Sequence, residues 1–389
     1  MTTQSVLISG AGVAGPTLAW WLARQGMKPT VVEQSARPRS SGSPVDVRGP
    51  ALRVAEQMGI VDALRGAATQ VRELVVVDAA GRAVGRVDMA AFSPDGGHDI
   101  EIPRGDLARI LYEASRDDAE YVFGDQIVAL DDHDGGVDVS FERGAPRRFD
   151  LVVGADGLHS GVRQLAFGPE SELVRPLGMF VATNPLPGEV PDPHRILLYN
   201  TPGRAIAVHP ARDRALAAFI FHHPGGVDFR PRDPDQHRQL LREACADDGW
   251  RTQELLARAL ASPDLYFDAV SEVVLSRWSR GRITLLGDAA SCVSLFGGGS
   301  SLAMAGAHVL AEALAEGADV GQALARYERR HRRAVIPRQR GIGLVAGQLV
   351  PRTRAGLATR NLALQLMPAA TRFADLAGRL AGRLDARGL

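Results

Sequence analysis

Val6-Leu7-Ile8-Ser9-Gly10-Ala11-Gly12-Val13-Ala14-Gly15 stands near the start of the chain, and the next acidic residue, Glu33, closes the apolar run Thr30-Val31-Val32. The pattern is that of a dinucleotide site: a buried strand, a tight glycine turn, a helix, and a second strand whose terminal carboxylate can reach a ribose. Gly10 permits the turn, Gly12 with its neighbour Ala14 leaves room for backbone to approach a pyrophosphate, and Gly15 lets the helix sit close to the strand. The phosphates would lie on the positive end of that helix. A glycine-rich turn by itself is often only a turn; here strand, helix and acidic residue all fall in register.

Three further segments repeat or extend the idea. Asp150-Leu151-Val152-Val153-Gly154-Ala155-Asp156-Gly157-Leu158-His159-Ser160-Gly161-Val162-Arg163 joins an apolar strand to a Gly-Asp-Gly turn and ends in an arginine. Arg282-Ile283-Thr284-Leu285-Leu286-Gly287-Asp288-Ala289-Ala290 leads into a glycine-rich run and an Ala/Leu helix, and Ile102-Pro103-Arg104-Gly105-Asp106-Leu107 lies before both. In order and spacing this set resembles the flavin-dependent aromatic hydroxylases of the para-hydroxybenzoate hydroxylase type. Within that group the chain is most similar to the tetracycline-inactivating flavin monooxygenases, through Gly12-Val13-Ala14-Gly15-Pro16, Val45-Asp46-Val47-Arg48-Gly49 and Arg277-Trp278-Ser279-Arg280-Gly281-Arg282.

The bulk composition agrees. A chain of 389 residues can hold two domains with sizeable cores, and 45% hydrophobic with 23% charged residues is ordinary for a globular protein. Lysine plus arginine and aspartate plus glutamate each number 45, a balance that argues against nucleic acid or a membrane surface as partner and for a small ligand. Cys245 and Cys292 lie far apart without metal-like spacing, so neither a disulfide framework nor a metal site is expected. The first residues already read as a strand and no run of about twenty apolar residues occurs, which points to a cytoplasmic address.

Alternating patterns give the organisation. Residues 5–35 read as strand, helix, strand; 50–58 as a short helix; 74–79 and 82–88 as a hairpin; and 105–116 as a helix with Leu107, Ile110 and Leu111 on one face. Beyond residue 176 the texture becomes β-rich, with strands at 195–200, 204–209, 215–221 and 267–275, interrupted by helices at 236–246 and 252–261. The expected fold is α/β. A Rossmann-like FAD-binding domain is assembled from residues 1–72, 99–175 and 276–340, with an inserted β-sheet substrate domain from 73–98 and 176–275. A C-terminal helical segment, 341–389, follows. In it Phe373, Leu376, Ala377, Leu380 and Leu384 oppose Arg372, Arg379, Arg383 and Arg387. That is an amphipathic helix, read as one packed and one solvated face, with a membrane-surface helix as the minority reading. In the resembled group a C-terminal helix spans the two domains.

The resemblance implies a chemistry and a set of roles. FAD would be reduced by NADPH or NADH as a transient electron donor, O2 would add at the flavin C4a position, and one oxygen atom would pass from the hydroperoxide to an electron-rich aromatic or polyketide-like substrate. No nucleophile–base or metal-ligand motif is needed for this, and none is present. Glu33 would accept from the adenosine ribose and Asp288, after Gly287, from a ribityl hydroxyl. Arg104 would lie against the cofactor, its other reading being a surface ion pair with Asp106. Asp156, Gly157 and Arg163 would serve flavin and nicotinamide. Arg48 would lie beside the isoalloxazine, unless it is a solvated loop arginine.

One departure marks this chain. The resembled group follows Gly-Asp-Ala-Ala with prolines and then Gly-x-Gly, whereas here Ser291-Cys292-Val293-Ser294-Leu295-Phe296-Gly297-Gly298-Gly299-Ser300-Ser301 has no proline. Gly298 and Gly299 would still allow close backbone approach, and Ser300 or Ser301 would cap the following helix and aim its positive end at the flavin. For substrate, Phe219, Phe221, His222 and Phe296 are the candidate contacts, with His209 and Phe296 as catalytic candidates; a sheet-core role competes for the two strand phenylalanines. Alternatives to an oxygenase are an FAD-bound isomerase or cyclase of natural-product metabolism and a non-catalytic ligand-binding homologue.

Overall fold

The computed structural model describes residues 4–36, 43–92, 99–189, 192–211, 214–223, 228–246, 249–292, 298–317 and 319–364. The chain divides into two compact units: residues 1–69, 95–179 and 268–345 form one, and residues 70–94, 180–267 and 346–389 the other.

The first unit is built on a six-stranded sheet in the spatial order Ser279–Arg280, Ile283–Leu285, Leu151–Gly154, Ser5–Ser9, Lys28–Glu33, Glu120–Phe123. All neighbours pair in parallel except the first two strands. Parallel strands must be covered on both faces, and the sequences show it: Val6, Leu7, Ile8, Leu151, Val152, Val153 and Leu285 are completely buried. The chain leaves Ser5–Ser9 on one side to make Lys28–Glu33 and returns on the other as Leu151–Gly154. The central strand is therefore a topological switch point, outside whose carboxyl end a crevice forms.

Helix Ala14–Arg24 follows the first strand and helix Gly299–Ala315 packs beside it. Helix Val320–Leu349 runs 30 residues through Pro337 and Gly341, so no helix boundary falls at 341. Two smaller sheets complete the unit: Pro44–Val47 pairs antiparallel with Ile100–Pro103, and Ile127–His133, Gly136–Phe141 and Arg147–Phe149 form a meander that the hydrophobic pattern did not reveal.

The second unit carries most of a seven-stranded sheet in the order Tyr266–Val273, Val174–Leu186, Arg214–His222, Arg204–Ala211, Arg195–Thr201, Glu73–Val77, Ala83–Asp88. Helices Pro234–Ala244 and Thr252–Ala261 lie close to their expected places. Asp233 caps the first, its side chain accepting from the Gln236 N–H at 3.0 Å. Residues 354–364 are helical; the amphipathic stretch from Arg372 to Arg387 lies outside the described residues.

Candidate functional site

Three adjacent parallel strands end at the same edge in glycine-bearing turns, at Gly10, at Gly154 to Gly157, and at Gly287. Each turn is stitched to its neighbour: Gly10 N–H donates to Val32 O at 2.7 Å, Ala155 N–H to Ser9 O at 2.8 Å, and Leu286 N–H to Gly154 O at 2.8 Å. The glycines are not interchangeable. Gly10 has φ +105, and a side chain there would begin 2.6 Å from Ala155 O; at Gly15 it would begin 1.9 Å from Gly10 O. Those two are demanded by the fold itself. At Gly12 and at Gly157 nothing lies within 4 Å, so their missing side chains leave open space at the crevice.

Around that space, groups converge from distant parts of the chain. The position of a Gly287 Cβ is 3.2 Å from Ala14 Cβ and 3.5 Å from Ala303 Cβ, which brings the starts of helices Ala14–Arg24 and Gly299–Ala315 to one turn. Asp288 Oδ1 lies 3.6 Å from the Cβ position of Gly299. Neither helix has a side-chain cap, so both present unsatisfied N–H groups and the positive end of a dipole. Glu33 accepts from Ala11 N–H at 3.0 Å and Ser35 N–H at 2.9 Å, holding the first glycine turn against the second strand.

Several expected roles are revised by the geometry. Ser301 does not cap its helix: Gly298, at φ +102, is the N-cap residue, while the buried Ser301 hydroxyl donates to Asp46 O at 2.9 Å and accepts from Arg48 N–H at 3.1 Å. It ties the Arg48 strand to the helix. Ser300 makes no cap either. Arg163 is not on a nicotinamide-facing surface but fully buried. Its guanidinium donates to Ala289 O at 3.2 Å and Leu158 O at 2.5 Å, bracing the second and third turns together.

Asp156 accepts from Ser160 Oγ at 2.5 Å, Val162 N–H at 3.2 Å and Ser9 Oγ at 3.3 Å. Burial pushes its pKa up, against those hydrogen bonds. Its carboxylate is thus committed to the protein. Arg104 is exposed at the start of helix Arg104–Ser115, and its expected alternative partner, Asp106, pairs with Arg109 at 3.4 Å instead.

In the second unit Phe219 and Phe221 are completely or almost completely buried, so both are core residues and not open substrate contacts. Phe221 joins an aromatic cluster with Phe180 and Phe267, as expected of large apolar rings on a covered sheet face. His209 Nδ1 is 2.9 Å from Pro210 O, and the His222 ring lies against Val350 O and the Arg352 guanidinium. Phe296 falls outside the described residues.

Two features escaped the sequence reading. Arg338 approaches Gly298, but it is one of many arginines on helix Val320–Leu349 and no spacing singles it out. His159 bridges two carboxylates, Glu170 at 2.9 Å and Asp268 at 3.2 Å. Burial pulls its pKa down, but these two partners override burial and hold it up at about 9.

The family profile described as FAD binding domain matches residues 3–338. The chain belongs to that family. It is 40% identical over 333 residues to an uncharacterized protein of Mycobacterium tuberculosis strain H37Rv, covering 83% of this chain and 88% of the relative. It is 35% identical over 328 residues to a flavin-dependent monooxygenase of an unknown prokaryotic organism, covering 84% and 85%. Among solved structures, tetracycline destructase Tet(51) superposes with a TM-score of 0.81 at 31% identity, over 94% of this chain and 96% of that one. This chain is accordingly an FAD-dependent monooxygenase of the aromatic hydroxylase type, with the Rossmann-like α/β fold of that group. No described helix is long and apolar enough to cross a membrane.

Proposed function

We propose that the chain binds FAD along the glycine edge of the first unit and, drawing electrons from NADPH or NADH, inserts one oxygen atom of O2 into an aromatic or polyketide-like small molecule. The observation that supports this reading best is the make-up of the edge: an open space at Gly12, two uncapped helix starts that meet at Gly287, and the Asp288 carboxylate beside Gly299. A dinucleotide fits those features. Its pyrophosphate would lie at Gly12 against the first turn of Ala14–Arg24, where the dipole favours negative charge. Glu33 would accept from the adenosine ribose, and Asp288 would hold the ribityl chain beside Gly299. Arg48, Gly298 and Gly299 would border the isoalloxazine, with Arg104 and Gly157 at its approach. When bound, the flavin supplies electron storage and oxygen activation, and the protein supplies position and exclusion of water. Arg163 and Asp156 keep the edge in shape from beneath, leaving the nicotinamide to an exposed surface not marked by Arg163.

The name of tetracycline destructase Tet(51), 31% identical to this chain, supports that substrate class. The test is turnover. Purified protein should be yellow, and a panel of phenols and polyketides should contain members that raise NAD(P)H and O2 consumption together with a product heavier by one oxygen. A yellow protein that consumes neither co-substrate with any member would favour the isomerase or cyclase alternative, and a colourless one the ligand-binding alternative.

A further inference from the structure

Two guanidinium groups from remote parts of the chain meet at the start of helix Gly299–Ala315. Arg338 Nε lies 3.5 Å and Arg48 Nη2 3.8 Å from the point where a Gly298 side chain would begin. Like charges so placed repel unless something negative lies near them. Among the described residues Arg48 has one carboxylate, Asp46, at a loose 3.7 Å, while Arg338 has none and makes only a 3.4 Å hydrogen bond to Ala334 O of its own helix. Burial, and then Arg48, lower the pKa of Arg338.

The helix start adds to the positive field: its N-cap is a glycine and its first turn holds no acidic residue. Nor is the arrangement loose. Arg48 follows the strand Pro44–Val47, and the Ser301 hydroxyl fixes both Arg48 N–H and Asp46 O. Two half-buried guanidiniums stand over an uncapped helix start, with Asp46 off-axis from Arg48 and Asp288, already given to the ribityl chain, beside Gly299; together they make a receptor for a planar oxyanion.

We propose that Arg48 and Arg338 receive an anionic oxygen group of the substrate, so that this enzyme selects ionised aromatic acids, phenolates or enolates over neutral rings of the same shape. The assignment rests on the reading that the flavin lies along this glycine edge, which puts the reacting molecule near Gly298. The anionic form of reduced flavin is the other source of a conjugated oxyanion at this point.

Salicylate and salicylamide, alike in shape and differing in charge at neutral pH, separate these cases. In the FAD-loaded protein, titrations followed by flavin absorbance should show salicylate bound at least about tenfold more tightly, the size of one charge-assisted hydrogen bond. Arg338→Gln should weaken salicylate by about tenfold and leave salicylamide within about twofold, with Arg338→Lys recovering part of the difference. Added chloride should weaken salicylate alone in the unaltered protein, which tests the receptor even if a variant fails to fold.

Equal affinities for the two probes, equal weakening of both in Arg338→Gln, or failure of salicylate to bind would overturn the proposal. So would a shifted flavin reduction potential in Arg338→Gln with salicylate affinity unchanged, which assigns the pair to reduced flavin. The same titrations of apoprotein by tryptophan fluorescence keep the two readings apart. A protein that never takes up FAD defeats the proposed function, whereas an Arg338-dependent preference for salicylate would still uphold the receptor.

Discussion

Raising the pH toward 10 should unlatch His159. Its imidazolium holds Glu170 and Asp268 at 2.9 and 3.2 Å, joining the turn after Leu151–Gly154 to the strand Tyr266–Val273. Its pKa, held up at about 9 in the fold, returns to 6.5 in the unfolded chain. The folded state therefore binds the proton more tightly. The stabilisation is complete below about pH 6.5 and is lost as the pH rises through 9.

At 1.36 kcal/mol per unit, that shift sets an upper figure of about 3 kcal/mol. The side chain is 33% exposed, so solvent screening reduces the expectation to about 1 to 2 kcal/mol. Guanidinium unfolding of the native protein and of His159→Gln, each at pH 6 and pH 10, isolates the term, because other alkaline titrations occur in both. The native protein should lose about 1 to 2 kcal/mol more than the variant over that interval. Parallel losses would refute the latch.

Other predictions follow from the same geometry. Gly15→Ala, whose methyl would begin 1.9 Å from Gly10 O, should abolish the cooperative melt or lower stability by about 3 kcal/mol or more. Gly12→Ala, with nothing within 4 Å, should melt like the native protein but retain less FAD on gel filtration; full flavin occupancy would show that the space is not the cofactor's. Glu33→Gln should weaken FAD by about 1.5 to 3 kcal/mol, read by equilibrium dialysis, since a charged acceptor is lost to the ribose and its NH2 cannot accept from one of the two N–H groups, of Ala11 and Ser35, that the carboxylate serves. His331 is buried against Trp278 and Tyr327, and burial, then Arg338, lowers its pKa to about 4. The unfolded chain thus takes up that proton first, so stability should fall from about pH 6.5 toward 4. A His331→Met variant should show a shallower decline in acid unfolding curves.

The parallel sheet was legible because buried strands and glycine turns leave strong local marks: Val6 to Ser9 before Gly10, Leu151 to Gly154, and Ile283 to Leu286 before Gly287 are largely apolar runs that end at glycines. The hairpin at Glu73–Val77 and Ala83–Asp88 was equally plain, its turn set by Gly81 at φ +78. The meander from Ile127 to Phe149 was not, since its first strand holds Val128 and Ala129 exposed and the adjacent Asp131 and Asp132 break its alternation, leaving the regular Val137-Asp138-Val139-Ser140 without a legible partner.

At the site, glycines announced themselves, but what each polar side chain touches did not. Arg163 read as a flavin and nicotinamide contact, yet two carbonyl acceptors and the Glu170 carboxylate at 3.5 Å make its full burial tolerable. Ser301 had the chemistry of a cap and was recruited instead by a strand some 250 positions earlier in the chain, at separations of 253 and 255 residues. Pairing at that distance is set by tertiary structure, and local sequence carries no sign of it.

The interleaving of the two units has a consequence for biosynthesis. A central strand of the six-stranded sheet, Ser5–Ser9, is made in the first ten residues; its neighbour Lys28–Glu33 follows at once, its other neighbour Leu151–Gly154 much later, and Ile283–Leu285 last. At about 5 to 20 residues per second, the N-terminal strand waits roughly 7 to 30 seconds for Leu151–Gly154, its partner on that side, to emerge from the ribosome. Through that interval a strand carrying Val6, Leu7 and Ile8, with an open edge, must be shielded by other means. A chain cut anywhere before Ile283 leaves the sheet permanently unfinished, so the expression host's chaperone capacity, and not the stability of the finished fold, should govern how much of this protein is recovered.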